Sequence, residues 1–159
     1  MSEEITLAMV RDPRCPPEIL REVLEQDEDD RVSRSAAENP NCPSEALQKV
    51  LERGKDDGVS CYAAANPNCP SKALQMVVER GNDNWVSWNA ALNRSCSPET
   101  LHMVLERGKN DRVSRCAAQN PNCPSDALQK VLERGKDDGV SCYAAMNKKC
   151  PPEVLKKAA

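Results

Sequence analysis

The residues of this chain with the richest chemistry are its nine cysteines, since thiolates bind metal ions, form disulfides and act as nucleophiles. Six of them follow one another at a constant interval of 27 residues, and we call them the column cysteines: Cys15, Cys42, Cys69, Cys96, Cys123 and Cys150. The chain has a single histidine, His102, with no evident partner in the sequence, and no Cys-x₂-Cys pair. The chemistry open to the column cysteines therefore depends on their spacing.

That spacing disfavours a shared site. If the chain folds into stacked helical units, neighbouring units lie about 8–10 Å apart. Two thiolates on one zinc ion must approach to about 4 Å, and a disulfide needs Cα atoms within about 7 Å. The column cysteines are therefore predicted to be small buried residues at helix starts. Metal or iron–sulfur binding and thiol chemistry are the alternatives.

No enzymatic constellation is recognisable elsewhere in the chain. The sequence contains no Gly-rich phosphate-binding loop and no serine or cysteine nucleophile with a histidine base. The many Asp and Glu residues fall at predicted helix caps and on faces of alternating charge, where solvation explains them. The sequence predicts a protein without catalytic activity and without a cofactor.

The residues around the column cysteines repeat with the same period. The Asn-Pro-Asn-Cys-Pro-Ser stretch at 39–44 recurs at 66–71 and 120–125, with looser copies at 12–17, 93–98 and 147–152. A fixed period without insertions is typical of a solenoid, in which each unit packs only on its neighbours. Residues 1–159 are therefore predicted to form a single repeat domain of six units, at about 2–27, 28–54, 55–81, 82–108, 109–135 and 136–159.

Each unit is predicted to contain two helices. The first opens at a capping residue such as Asp30 and ends at the Asn-Pro pair, because a residue before proline avoids the α region and Asn tolerates the left-handed one. Its length suits an α-helix or a partly 3₁₀ helix. The second helix begins at the Cys-Pro step with Pro43 in its first turn. It ends at Gly54, where Arg53 favours the dipole of its own helix; Asp27 replaces this glycine in the first unit, so that exit turn is expected to differ.

A leucine-rich repeat with one strand per unit is the competing architecture at this period. It needs a Leu-x-Leu strand segment, and none occurs in the sequence. The Asn-Pro-Asn-Cys-Pro stretch also cannot lie inside a sheet, because proline has no N–H to donate to the ladder. The sequence therefore predicts an all-α fold.

The Asn-Pro-Asn-x-Pro-x-Glu-x-Leu pattern at 39–47, with an acidic pair and a valine opening the next short helix, resembles the leucine-rich repeat variant family. The resemblance covers essentially the whole chain. It implies a right-handed α-solenoid of six 27-residue helix-turn-helix units, similar in shape to HEAT and armadillo repeats. The unit here is longer than usual for that family, and Cys occupies a position that commonly holds Thr. The family's separate iron–sulfur cysteine cluster has no counterpart in this sequence, so that cofactor is not expected.

The first helices vary at positions that share one face. The residues flanking the repeated Val-Ser pair are spaced i and i+3, so both project on the same side of the helix. Both tryptophans and both tyrosines of the chain fall at varying positions. Since Arg, Tyr and Trp dominate binding hot spots, these positions are predicted to form a contact surface, with free drift of solvent-facing residues as the alternative. The predicted contact residues are Arg31, Arg34, Tyr62, Trp85, Trp88, Arg112, Arg115 and Tyr143.

Two functions fit such a surface. The favoured one is a scaffold that binds a protein or peptide, with Trp85 and Trp88 as anchors and the arginines as polar contacts. The alternative is modular binding of single-stranded nucleic acid, in which arginines reach phosphates and aromatic rings stack on bases. The formal charge of −3 disfavours the alternative, because phosphate neutralisation supplies most of that affinity.

Location and assembly follow from the remaining features. No apolar run reaches the length of about 18 residues that marks a membrane span. The acidic start, Met1 to Glu4, lacks the features of a signal peptide, so a cytoplasmic location is expected. The last predicted unit has no evident polar cap, which makes end-to-end self-association a further expectation.

Overall fold

A computed structural model describes residues 4–157, and within that range the backbone forms twelve helices and no strand. The odd-numbered helices are α1 (Leu7–Arg11), α3 (Arg31–Glu38), α5 (Gly58–Ala65), α7 (Trp85–Leu92), α9 (Arg112–Gln119) and α11 (Gly139–Met146). The even-numbered helices are α2 (Pro17–Glu25), α4 (Ser44–Glu52), α6 (Ser71–Glu79), α8 (Pro98–Glu106), α10 (Ser125–Glu133) and α12 (Pro152–Lys157). The all-α prediction is confirmed.

The odd helices from α3 onward start as the sequence predicts. The side chain before each one accepts a hydrogen bond from the backbone N–H three residues later, at 2.7–3.0 Å. This satisfies one of the free donors of the helix start. The capping residues are Asp30, Asp57, Asn84, Asp111 and Asp138. These helices are α-helical over eight residues, so the 3₁₀ alternative was wrong.

The Asn-Pro pair ends the odd helices, but only half of the predicted reason holds. Asn39 has φ −61° and ψ 131°, which is the extended conformation that a residue before proline prefers. The left-handed conformation expected of Asn is therefore wrong. The side chain is instead buried and hydrogen-bonded, as described below.

Helix α4 begins one residue later than the sequence predicts. Pro43, with ψ 141°, is the residue before the helix, and Ser44 is the first helical residue. Proline has no side-chain acceptor, so no side-chain cap forms at this helix start. Proline does occupy the first turn in α2 and α8, at Pro17 and Pro98.

The exit turns of the even helices are alike. Gly54 has φ 72°, in the left-handed region where a side chain is disfavoured. Asp27 adopts φ 58° at the same place in the first unit, so the expectation of a different turn was wrong. Its carboxylate forms ion pairs with Arg53 Nη1 at 2.9 Å and Lys55 Nζ at 2.7 Å. Asp tolerates the left-handed conformation better than most residues, and the two ion pairs hold Asp27 in it.

The helices pack in two layers. Each odd helix from α3 onward lies against its odd neighbours, which form the odd layer, and against the even helix that precedes it in the chain. The even helices form a second layer in which neighbours make less contact with one another. Paired alanines allow close approach in the odd layer, since the Ala-Ala pairs at 36–37, 63–64, 90–91 and 117–118 are fully buried. The even layer supplies fully buried leucines: Leu20, Leu47, Leu74, Leu101 and Leu128.

A ladder of asparagine side chains joins successive odd helices. The Nδ2 group of Asn66 donates to the carbonyl oxygens of Ala37 at 2.7 Å and Asn39 at 3.0 Å, while its Oδ1 accepts from the N–H of Asn68 at 2.8 Å. We call this the Asn ladder. The same three bonds recur at Asn39, Asn93, Asn120 and Asn147. Buried backbone carbonyls at the ends of the odd helices thereby gain donors.

Arginines join successive even helices in a similar way. Arg53, which directly follows α4, donates from Nη2 to the Leu24 carbonyl at the end of α2, at 2.6 Å. Arg80 and Arg134 make the equivalent bonds to Leu51 and Leu105 at 2.9 and 2.7 Å. The ends of α2, α4 and α8 are thus capped by the arginine that follows the next even helix. In the range from residue 4 to residue 157, every helix is too short or too polar to cross a bilayer.

Candidate functional site

The column cysteines are packing residues. All six are buried, with at most 6 % of the residue surface exposed. Burial raises the pKa of Cys42, Cys69, Cys96 and Cys123 to about 12, so these thiols are neutral at physiological pH and are weak nucleophiles. Among the described residues, no group of three or more His, Cys, Asp or Glu side chains is placed to hold a metal ion.

Large exposed apolar side chains concentrate on the odd layer. In the described part of the chain six such residues are exposed, and five of them lie on odd helices: Tyr62 (40 %), Trp85 (60 %), Leu92 (42 %), Tyr143 (36 %) and Met146 (73 %). The sixth, Leu155, is on α12. We call the surface formed by these five residues and the arginines of α3 and α9 the odd-layer face. Exposed apolar side chains gathered on one surface are typical of interaction sites.

A cluster of two tryptophans and one arginine lies near the middle of this face. Trp85 and Trp88, one turn apart on α7, have ring centroids 4.7 Å apart and planes tilted by 59°. The guanidinium carbon of Arg112 on α9 is 4.2 Å from the centroid of Trp88 and 5.4 Å from that of Trp85. These distances suit cation–π interactions. The cluster therefore joins two adjacent odd helices.

Asp83 fixes the orientation of Trp88. The indole Nε1 of Trp88 donates to Asp83 Oδ1 at 2.6 Å, and the N–H of Val113 at the start of α9 donates to the same carboxylate at 3.3 Å. Burial pushes the pKa of Asp83 up, but the bonds from Trp88 and from the α9 backbone outweigh it and lower the pKa. The Asp83 carboxylate therefore both orients Trp88 and caps the start of α9.

Arg34 occupies on α3 the position that Trp88 occupies on α7, and its charge is compensated by an ion pair with Asp29. Its Nε and Nη2 donate to the two oxygens of Asp29 at 2.9 and 2.8 Å, a bidentate pair. Asp29 also accepts from the N–H of Val59 at the start of α5, at 3.1 Å. The hydrogen bonds from Arg34 lower the pKa of Asp29 to about 2. The Arg34 side chain lies directly over Gly58, whose missing Cβ leaves room for it.

Arg115 on α9 follows the same geometry with one difference. Its Nε donates to Asn110 Oδ1 at 3.3 Å, and Nη2 donates to the Asn110 carbonyl at 3.4 Å. It lies over Gly139, where an added Cβ would be 2.7 Å from its Nε. Asn110 is neutral, whereas Asp29 is charged. The positive charge of Arg34 is therefore compensated by a carboxylate, and that of Arg115 is not compensated by Asn110.

The variable positions are thus coupled between neighbouring helices. The later variable residue of one odd helix contacts the earlier variable residue of the next, as Trp88 does with Arg112 and Arg115 with Gly139. A large side chain meets either glycine or a partner on which it stacks. The sequence analysis did not predict this coupling. The glycines that follow Arg34 and Arg115 in the next unit, Gly58 and Gly139, nevertheless indicate it.

A cleft of about 290 Å³ lies between α7, α9 and α11. Its walls are Trp85, Trp88, Asn89, Leu92, Arg112, Arg115, Cys116, Gln119 and Tyr143. The structure thus brings together five of the eight predicted contact residues. Arg31, Arg34 and Tyr62 lie on α3 and α5, outside the cleft. Asn110, the hydrogen-bond partner of Arg115, was not predicted, although Asp occupies its place in four other units, at residues 29, 56, 83 and 137.

The even layer and the last helices carry charged surfaces instead. His102 lies 3.5 Å from carboxylate oxygens of both Glu106 and Asp126, and Lys130 lies 3.6 Å from Glu106. A wider cleft of about 930 Å³ near α12 has walls that mix opposite charges, from Glu133 and Glu153 to Lys136 and Lys157, without an aromatic side chain. Neither place combines exposed aromatic side chains with an excess of positive charge.

Comparison of the chain with protein-family models, curated proteins and solved structures finds no match. The resemblance to the leucine-rich repeat variant family therefore stays a prediction from the sequence motif. Functional inference depends on the odd-layer face and the cleft within it.

Proposed function

We propose that the chain is a right-handed α-solenoid of six 27-residue units, residues 1–159, that acts as a non-enzymatic scaffold and binds a protein or peptide on the odd-layer face. The observation that carries the proposal is the concentration of exposed aromatic and apolar side chains there, with Trp85 60 % exposed. Aromatic side chains flanked by arginines are the usual anchors of protein interfaces. Closer packing among the odd helices than among the even ones favours a stack in which this face is the concave one.

Single-stranded nucleic acid is the second candidate. The cleft combines stacking surfaces with Arg112 and Arg115, which is the chemistry of base stacking and phosphate contact. The balance of charge disfavours it. The chain carries −3 overall, and Arg34 is paired with Asp29 and so is poorly placed to neutralise a phosphate.

Photo-crosslinking from two matched positions tests the proposal. A photoreactive amino acid replaces Gln119, an exposed residue of the cleft wall, or Lys72, an exposed residue of α6 in the even layer. In extracts of the source cells we expect protease-sensitive adducts from position 119 at higher yield than from position 72, and their loss in a Trp85→Ala background. Nuclease-sensitive adducts would favour the second candidate. Equal yields from the two positions would contradict binding at the odd-layer face.

A further inference from the structure

The tryptophan pair is not free to receive a cation from a ligand. Aromatic pairs of this kind recognise ammonium groups through their ring faces. Here Arg112 already lies over both rings, at 4.2 and 5.4 Å. A ligand that enters the cleft therefore meets the outer side of a guanidinium group.

The positive charge of the cleft is not neutralised by an ion pair. Among the described residues, no carboxylate forms an ion pair with Arg112 or Arg115. Asp83, which precedes α7, is already engaged by Trp88 and the start of α9. Arg115 is bonded to the neutral Asn110.

The ion pair of Arg34 on α3 provides a comparison for Arg115 on α9. On α3 the equivalent arginine, Arg34, forms a bidentate pair with Asp29 at 2.8 and 2.9 Å. At the second site the amide of Asn110 replaces that carboxylate, so Arg115 loses its ion-pair partner. Gln119 in the cleft wall likewise replaces the Glu38 of α3. The cleft therefore has two arginines available to an anion, beside the exposed apolar surfaces of Trp85 and Leu92.

We propose that this cleft binds a peptide segment in which an Asp or Glu carboxylate adjoins a bulky apolar side chain. The proposal rests on the proposed function and specifies its partner. The carboxylate pairs with Arg112 and Arg115, since guanidinium groups bind carboxylates through paired hydrogen bonds. The apolar side chain covers Trp85 and Leu92. A volume of about 290 Å³ accommodates one or two side chains, and so a segment of a larger partner.

Asn110→Asp is the decisive variant, because it changes the charge of the cleft without removing a wall residue. We expect the new carboxylate to pair with Arg115 as Asp29 pairs with Arg34, and to accept from the start of α11 as Asp29 does from Val59. The variant should therefore fold at least as stably as the parent chain. Lys72→Gln is the matched control, since it makes the same change of net charge at an exposed residue of α6, in the even layer and outside the cleft.

The experiment selects peptides from a random library displayed on phage, using the full chain as bait and the Trp85→Ala chain for counter-selection. The most enriched peptide is then synthesised, together with an analogue in which Asn or Gln replaces its acidic residues. Dissociation constants are measured by tryptophan fluorescence or calorimetry at fixed salt. Oligothymidylate is titrated in parallel as the nucleic-acid probe.

We expect enriched peptides to carry Asp or Glu beside a bulky apolar residue. The amide analogue and the Asn110→Asp variant should each weaken binding about tenfold, the size of one lost charge-assisted contact, while Lys72→Gln leaves it unchanged. Enriched peptides that depend on Trp85 but lack acidic residues, or that bind Asn110→Asp unchanged, would overturn this inference and leave the proposed function standing. If no peptide is enriched over the Trp85→Ala chain, or if oligothymidylate binds more tightly, both fail.

Discussion

The Asn ladder should be the main polar link between neighbouring units, and Asn66→Ala tests this at the centre of the chain. The substitution removes two donated bonds, to the carbonyls of Ala37 at 2.7 Å and Asn39 at 3.0 Å, and one accepted bond from the N–H of Asn68 at 2.8 Å. Asn66 is only 3 % exposed, so water does not easily replace the lost partners.

The expected cost follows from those three bonds. Each contributes about 1 kcal/mol net, and leaving a buried carbonyl such as that of Ala37 without this donor adds about 1–2 kcal/mol. The carbonyl of Asn39 keeps a bond from the Cys42 N–H at 3.0 Å and adds little. Asn66→Ala should therefore lower the free energy of unfolding by about 4–5 kcal/mol, a large part of the total for a domain of this size.

Asn68→Ala is the matched control. Asn68 also bonds carbonyls of the preceding unit, Pro40 at 2.6 Å and Cys42 at 3.2 Å, but it is exposed to solvent. Water can satisfy those carbonyls, so we expect a loss of about 1 kcal/mol. Urea unfolding followed by far-UV circular dichroism measures both variants. A cost for Asn66→Ala no larger than for Asn68→Ala would refute the assignment of the ladder as the main polar link.

Three further predictions concern charge, thiols and packing. The hydrogen bonds from Arg34 lower the pKa of Asp29 from 3.8 to about 2. The Asp29 carboxylate therefore stabilises the fold above pH 3.8, and this contribution is lost as the pH falls towards 2. The free energy of unfolding, measured against pH, should fall less steeply across this window in Asp29→Asn than in the parent chain. A maleimide applied to the native chain should label the exposed Cys142 first, and the column cysteines only after unfolding, as peptide mass mapping would reveal; early labelling of a column cysteine would contradict their burial. Gly139→Ala should displace Arg115 and destabilise the chain in the parent but not in an Arg115→Ala background, so a double-mutant cycle should give a coupling of about 0.5–1 kcal/mol, whereas additive effects would disprove the contact.

The helix bounds were largely predictable from the sequence because their signals are local. A capping carboxylate three residues from its backbone partner, as at Asp30, acts within one helical turn. A proline after Asn39 and a glycine at position 54 act on the adjoining backbone alone. The error at Pro43 is a shift of a single residue within the same local pattern.

The errors in side-chain roles have a different cause. The sequence did not predict that the side chains of Asn39 and Arg53, which follow α3 and α4, also reach carbonyls 27 to 29 residues earlier in the chain. Such contacts depend on the rise and rotation from one unit to the next. Those quantities result from how the alanine and leucine cores pack, and no pattern within one unit specifies them.

The same division applies to the candidate site. The sequence by itself determined that Trp85, Trp88 and the paired arginines share one side of the short helices, because spacing of i and i+3 places residues together on any α-helix. Only the tertiary structure decided which arginine forms an ion pair: Arg34 pairs with Asp29, Arg112 stacks on the tryptophans of the preceding helix, and Arg115 meets a neutral amide. The physical reason is that the net charge of a cleft depends on distances between groups brought together by packing, and Coulomb energies change steeply over a few ångströms.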